Sequence, residues 1–134
     1  VPYAGAFATV GTRALVAWKN TREAARALRD ALPLLKAAER VVVVEVADEP
    51  VPPSADVGVR DVQAWLARHD IAADIRIEAG AADAGDVLLS RAADFGSDLL
   101  VMGAYGHSRM REWVLGGATR HLLEHMTVPT LLSH

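Results

Sequence analysis

The segment Val41-Val42-Val43-Val44-Glu45-Val46 is the strongest constraint on how this chain can fold. It is continuous, β-branched and apolar on both sides. A strand with one face in water alternates apolar and polar residues. A strand apolar on both faces needs cover on both, and that pattern belongs to a parallel sheet with helices above and below.

The remaining segments are compatible with such a sheet. Arg13-Ala14-Leu15-Val16-Ala17-Trp18 reads as a short buried strand. Thr21 can cap the helix that follows by accepting from backbone N–H groups two or three residues on. Ala24, Leu28, Ala31, Leu32 and Leu35 recur at helical spacing, and Pro33 predicts a kink or division near the end of that helix. Pro50, Pro52 and Pro53 mark a loop, and Ser54 is a good N-cap for a helix carrying Val59, Val62, Trp65, Leu66 and His69. Asp74-Ile75-Arg76-Ile77-Glu78 alternates, as a strand near a sheet edge does. Asp83 can cap a helix running over Val87, Leu88 and Leu89 to Phe95, and Gly96 is placed to end it. Asp98-Leu99-Leu100-Val101-Met102 is a fourth strand. A last helix over roughly residues 118–126 and a fifth strand, Val128-Pro129-Thr130-Leu131-Leu132, follow. The proline there suits a sheet edge.

The order β-α-β-α-β-α-β-α-β implies a doubly wound five-stranded parallel sheet built by right-handed crossovers. At 134 residues the chain has the size of one domain. Residues 1–12 read as a linker or N-terminal arm and residues 13–134 as the domain. In such sheets ligands bind outside the carboxyl ends of the strands, where strand order reverses. That directs attention to Trp18-Lys19-Asn20, to Val46-Ala47-Asp48 and to everything after Met102.

Composition narrows the chemistry. A hydrophobic content of 51% with 23% charged residues excludes disorder. The absence of cysteine excludes disulfides and thiolate chemistry. A formal net charge of −3 argues against broad nucleic-acid binding. No apolar run approaches the roughly 20 residues of a membrane span. The opening Val1-Pro2-Tyr3-Ala4-Gly5 lacks the charged start of a signal peptide, so no membrane partner and a cytoplasmic location are expected.

The segment after strand four runs from Gly103 through Gly106, His107, Ser108, Arg109 and Arg111 to Gly116, Gly117, Ala118 and Thr119. Gly103 and Gly106 let backbone approach a ligand closely. Gly116-Gly117 opens the last helix, whose free N–H groups and positive dipole end form an anion site. Ser108, Arg109, Arg111 and Thr119 can add hydroxyls and charge. This is the chemistry of a phosphate cradle, although glycines that only make turns and cap a helix would read the same way. Neither the P-loop pattern nor a Gly-x-Gly-x-x-Gly after strand one is present.

Gly103, Gly106 and Gly116 match the Gly-x2-Gly-x9-Gly-Ser/Thr signature, and from about Arg13 to His134 the chain resembles the universal stress protein (UspA-like) family. The resemblance implies a sheet of order 3-2-1-4-5, dimers pairing through strand five, and a division into ATP-binding and non-binding members. It implies ATP, with or without Mg²⁺, as cofactor. It places the nucleotide near Ala17, Trp18, Lys19, Val46, Met102, Gly103, Gly106, His107, Ser108, Arg109, Gly116, Gly117, Ala118 and Thr119. Two positions depart from the binder pattern. Gly117 stands where a Ser/Thr is expected, with Thr119 the next hydroxyl, and Lys19 stands where an acidic residue is usual. A missing hydroxyl removes one phosphate hydrogen bond, on the order of 1.5–3 kcal/mol. The amino-terminal segment also resembles the linker before the second domain of tandem members, so the chain reads as the carboxyl-terminal half of such a protein.

His121-Leu122-Leu123-Glu124-His125 matches the inverted zinc-protease motif, but a third ligand is required, no carboxylate lies beyond Glu124, and surface or core-edge histidines are the better account. Ser108 beside His107 lies in no nucleophile elbow. Trp18 could stack on a base or belong to the core; Trp65 and Trp113 read as packing residues. Three functions follow: a nucleotide-binding sensor or regulator of stress response, a dimerisation module whose nucleotide site has decayed, and a slow ATPase with no evident base for water. For association, the strand from Val128 to Ser133 is expected to pair with a second copy or with the other half of a tandem chain.

Overall fold

The valine run forms β2 (Arg40–Ala47), which lies between β1 (Arg13–Trp18) and β3 (Ala73–Ala79) in a computed structural model that describes residues 9–47, 57–79, 84–104 and 117–134. β4 (Leu99–Gly103) joins the other side of β1, and β5 (Thr130–Ser133) closes the sheet beyond it. The order is β3-β2-β1-β4-β5 with every neighbour parallel; the alternation of elements implies the parallel sheet, and the family resemblance implies its order.

Strand periodicity divides the valines between two cores. Val41 and Val43 join Ala14, Val16, Leu99 and Val101 on one face. There they meet α1 (Arg22–Asp30), α2 (Leu32–Ala37) and α3 (Val57–Arg68) through Ala27, Leu28, Leu35, Val59, Val62 and Leu66. Val42 and Val44 join Leu15, Leu100 and Met102 on the other, under α4 (Ala84–Asp94) and α5 (Gly117–His125), which contribute Leu88, Ala92 and Leu122. The run is apolar on both faces because each face carries helices.

Pro33 divides the first helical segment as anticipated, but the break falls at Ala31, and Pro33 sits in the first turn of α2. A first-turn proline loses no intrahelical hydrogen bond. The Thr21 hydroxyl accepts from Ala24 N–H at 3.2 Å and caps α1. Gly96 ends α4 at φ +61°, with Ser97 N–H reaching Ala92 C=O at 2.8 Å. The expected caps Ser54 and Asp83 lie outside the described residues. β5 starts two residues later than expected. Pro129 precedes it and hands its carbonyl to Leu100 N–H at 2.9 Å, so its missing N–H interrupts no ladder.

Asp98 fastens the approach to β1. One carboxylate oxygen accepts from the Thr9 hydroxyl at 2.6 Å and from Thr12 N–H at 3.1 Å, and the other accepts from Arg13 N–H at 2.8 Å. Burial alone would raise the Asp98 pKa. The hydrogen bonds from Thr9, Arg13 and Thr12 outweigh it and hold the carboxyl below its ordinary value. A carboxyl depressed in the fold adds stability above its unfolded value of about 3.9, and loses it as pH falls through the lower folded value. Asp98→Ala is expected to cost about 1 kcal/mol near neutrality, because it removes the acceptor of the Thr12 and Arg13 N–H groups, which are only partly shielded from water. Denaturant titration should show the gap to wild type narrowing below about pH 3.9. An unchanged gap in acid would contradict this role.

Candidate functional site

β1 leads to β2 on one side of the sheet while β4 leads to β5 on the other, so strand order reverses between β1 and β4. The crevice of a doubly wound sheet opens there, at the carboxyl ends. In register, Ala17 stands beside both Val44 and Met102, Trp18 beside Glu45, and Gly103 beside Ser133. Ala17, Trp18, Val46, Met102 and Gly103 therefore share the carboxyl edge of three adjacent strands. Ala17, Val46 and Met102 pack toward the α4–α5 side, and Trp18 packs toward the α1–α3 side. The Trp18 indole Nε1 is buried with no hydrogen-bond partner among the described residues. Lys19 is exposed and its carbonyl accepts from Thr21 N–H at 2.7 Å, which makes the turn into α1 tight.

Gly103 has a packing reason that sequence alone does not expose. A Cβ there would stand 2.5 Å from Ala24 N and 2.6 Å from the Glu23 carbonyl carbon. The first turn of α1 thus lies directly against the end of β4, and only glycine leaves room. A glycine closing a buried strand does signal close backbone approach. The backbone of Glu23 and Ala24 supplies the wall, a contact that the helical spacing of Ala24 does not reveal.

α5 begins at Gly117, one residue before the expected start, and carries Ala118 and Thr119 in its first turn. The first four N–H groups of a helix have no intrahelical partner, and the dipole gives that end partial positive charge. Both α4 and α5 run opposite to the parallel strands that they connect, so their N-termini stand at the carboxyl edge. Gly106, His107, Ser108, Arg109 and Gly116 lie outside the described residues, as does Arg111. Among the described residues no three His, Asp or Glu side chains gather where they could hold a metal ion. Glu124, the acid of the zinc-like motif, is engaged by Arg120 at 3.0 Å, and that hydrogen bond is the main cause holding its carboxyl below the usual range.

The model of the universal stress protein family matches residues 12–134. The chain belongs to the universal stress protein family. Solved structures share its fold. The universal stress protein UspA of Lactobacillus plantarum is 17% identical, with 94% of this chain and 99% of that one covered and a TM-score of 0.78. A universal stress protein in complex with cAMP is 20% identical, with coverage of 94% and 98% and a TM-score of 0.72. The universal stress protein of Archaeoglobus fulgidus in complex with dAMP is 15% identical, with coverage of 92% and 98% and a TM-score of 0.68. No curated protein sequence matches the chain. Among the described residues, no helix of this universal stress protein is long and apolar enough to cross a membrane.

Proposed function

We propose that this universal stress protein domain binds an adenine nucleotide, ATP with or without Mg²⁺, at the carboxyl edge of β1, β2 and β4, and acts as a regulator or sensor in stress response. The observation that carries the reading is the convergence of Ala17, Val46, Met102 and Gly103 on neighbouring strand ends at the reversal of strand order. The start of α5 at Gly117 supports it, because helix N-terminal amides favour phosphate. The relatives solved with cAMP and dAMP support the adenine class. The resemblance to binding members gives the phosphates to the segment from Gly103 to Thr119, and the nucleoside to the ends of β1 and β2 at Trp18, Lys19 and Val46.

Calorimetric titration with ATP in millimolar Mg²⁺ is expected to give a saturable heat. Gly117→Ser restores the hydroxyl of the signature and should tighten binding about tenfold, the low end of what one recovered hydrogen bond to a charged group contributes. No heat and no thermal stabilisation at millimolar ATP would contradict the nucleotide reading.

The second reading is a dimerisation module whose nucleotide site has decayed. Its support is specific: α1 alone accounts for the glycine at 103, and Lys19 and Gly117 both depart from the binder pattern. β5 stands at the sheet edge with Leu131 and Leu132 only half-buried, and an apolar edge invites a partner strand. We infer pairing of β5 with a second copy, or with a preceding domain in a tandem chain. Light scattering should return twice the 14.3 kDa chain mass at micromolar concentration, and Leu131→Lys should return the single mass with its circular dichroism intact. A wild-type protein of single mass would rule out the homodimer.

A further inference from the structure

Two helices bring their N-terminal halves together at the carboxyl edge, and one polar contact joins them. His121 Nε2 lies 2.6 Å from Asp86 Oδ1. Asp86 is in the first turn of α4, and His121 is four residues into α5 from Gly117. At about 1.5 Å of rise per residue the imidazole sits some 6 Å along the helix from that first position. The His121 side chain is only 24% exposed. The His125 ring stacks on it with centroids 4.3 Å apart and planes inclined by 22°. His125 Nδ1 also reaches the His121 carbonyl at 3.0 Å. A carbonyl can only accept, so His125 carries its proton on Nδ1 and its ring is held in place. The residues of the zinc-like motif are thereby used otherwise: His125 braces His121, His121 meets Asp86, and Glu124 pairs with Arg120.

We propose that the Asp86–His121 contact is a positioning clasp that fixes the first turn of α5 relative to α4, and through it the geometry of the anion-binding end of α5. Its consequence for affinity rests on the nucleotide reading above. Leu122 buries one side of α5 in the core and sets the depth of the helix, but an apolar contact is non-directional and does not by itself fix slide or rotation. A short hydrogen bond between an imidazole N–H and a carboxylate is directional and removes that freedom. Backbone amides aimed at a ligand need placement to about half an ångström, so an anchor one turn away matters more for the site than for overall stability.

The test uses His121→Leu, Asp86→Ala, the double variant, and His121→Gln, whose side-chain N–H can still donate. His121→Leu and Asp86→Ala should each weaken ATP about fivefold, at the low end of ordinary coupling between sites, and the double variant should lose no more than either. His121→Gln should recover most of the loss. Without nucleotide, amide hydrogen exchange at residues 121–124 should quicken in His121→Leu and Asp86→Ala while β1 and β4 keep their protection. Additive losses in the double variant, or α5 exchange equal to wild type, would overturn the clasp. If wild type binds no nucleotide, the nucleotide reading fails and the exchange measurement alone decides the clasp.

Discussion

Gly103→Ala is expected to destabilise the ligand-free protein by about 3 kcal/mol, at the upper end of ordinary overpacking. The added Cβ would fall 2.5 Å from Ala24 N and 2.6 Å from the Glu23 carbonyl carbon, both backbone atoms of α1. Neither can rotate aside as a side chain would. The helix would have to lift, and α1 is held to the sheet by Ala24, Ala27 and Leu28, all buried. Urea titration of wild type and variant without nucleotide measures the cost. A loss below about 0.5 kcal/mol, the range of an ordinary surface change, would mean that α1 does not press on β4 as described. The experiment also separates two reasons for the glycine. If it served only a ligand, the ligand-free variant would be as stable as wild type.

Leu122→Ala is expected to cost about 3 kcal/mol through lost burial and the cavity left behind. Leu122 is 1% exposed and joins Leu15, Leu88 and Leu100 in the core beneath α4 and α5. The neighbouring Leu123 is 40% exposed and supplies the control: Leu123→Ala should change stability by no more than about 0.5 kcal/mol. Because Leu122 seats the helix that begins at Gly117, its truncation should also weaken ATP more than Leu123→Ala does. Thermal unfolding and calorimetry of the two variants test both statements. Equal costs at 122 and 123 would contradict the burial pattern of α5.

The parts of the fold that were legible in the sequence are those with a local cause. The valine run had to be covered twice, and it lies between β1 and β3 with helices on both faces. Pro33 and Gly96 act through their own backbone geometry, so the division of the first helix and the end of α4 could be read directly. Asp74, Arg76 and Glu78 alternate with Ile75 and Ile77 because β3 is an edge strand. What could not be read depends on contacts between distant residues. Asp98 reaches Thr9 across 89 positions, and nothing near either residue announces the pair. The contact of His121 with Asp86 is of the same kind, and reading His121 and His125 as surface or core-edge histidines does not reveal it. The glycine at 103 signals a close approach, but whether ligand or helix approaches depends on where α1 lands. Of the candidate site, the strand-end residues Ala17, Trp18, Val46, Met102 and Gly103 do come together, because parallel register aligns the carboxyl ends of neighbouring strands.

The proposed adenine nucleotide site lies at that carboxyl edge. Backbone amide spectra of the isotope-labelled protein, recorded through an ATP titration, test it residue by residue. Shifts are expected to concentrate at Ala17 to Lys19, Val46, Met102, Gly103 and Gly117 to Thr119. Little change is expected at Arg13, Arg40, Ala73 and Leu99, which stand at the opposite, amino-terminal edge of the sheet. Shifts centred on that opposite edge, or none at millimolar ATP, would contradict it.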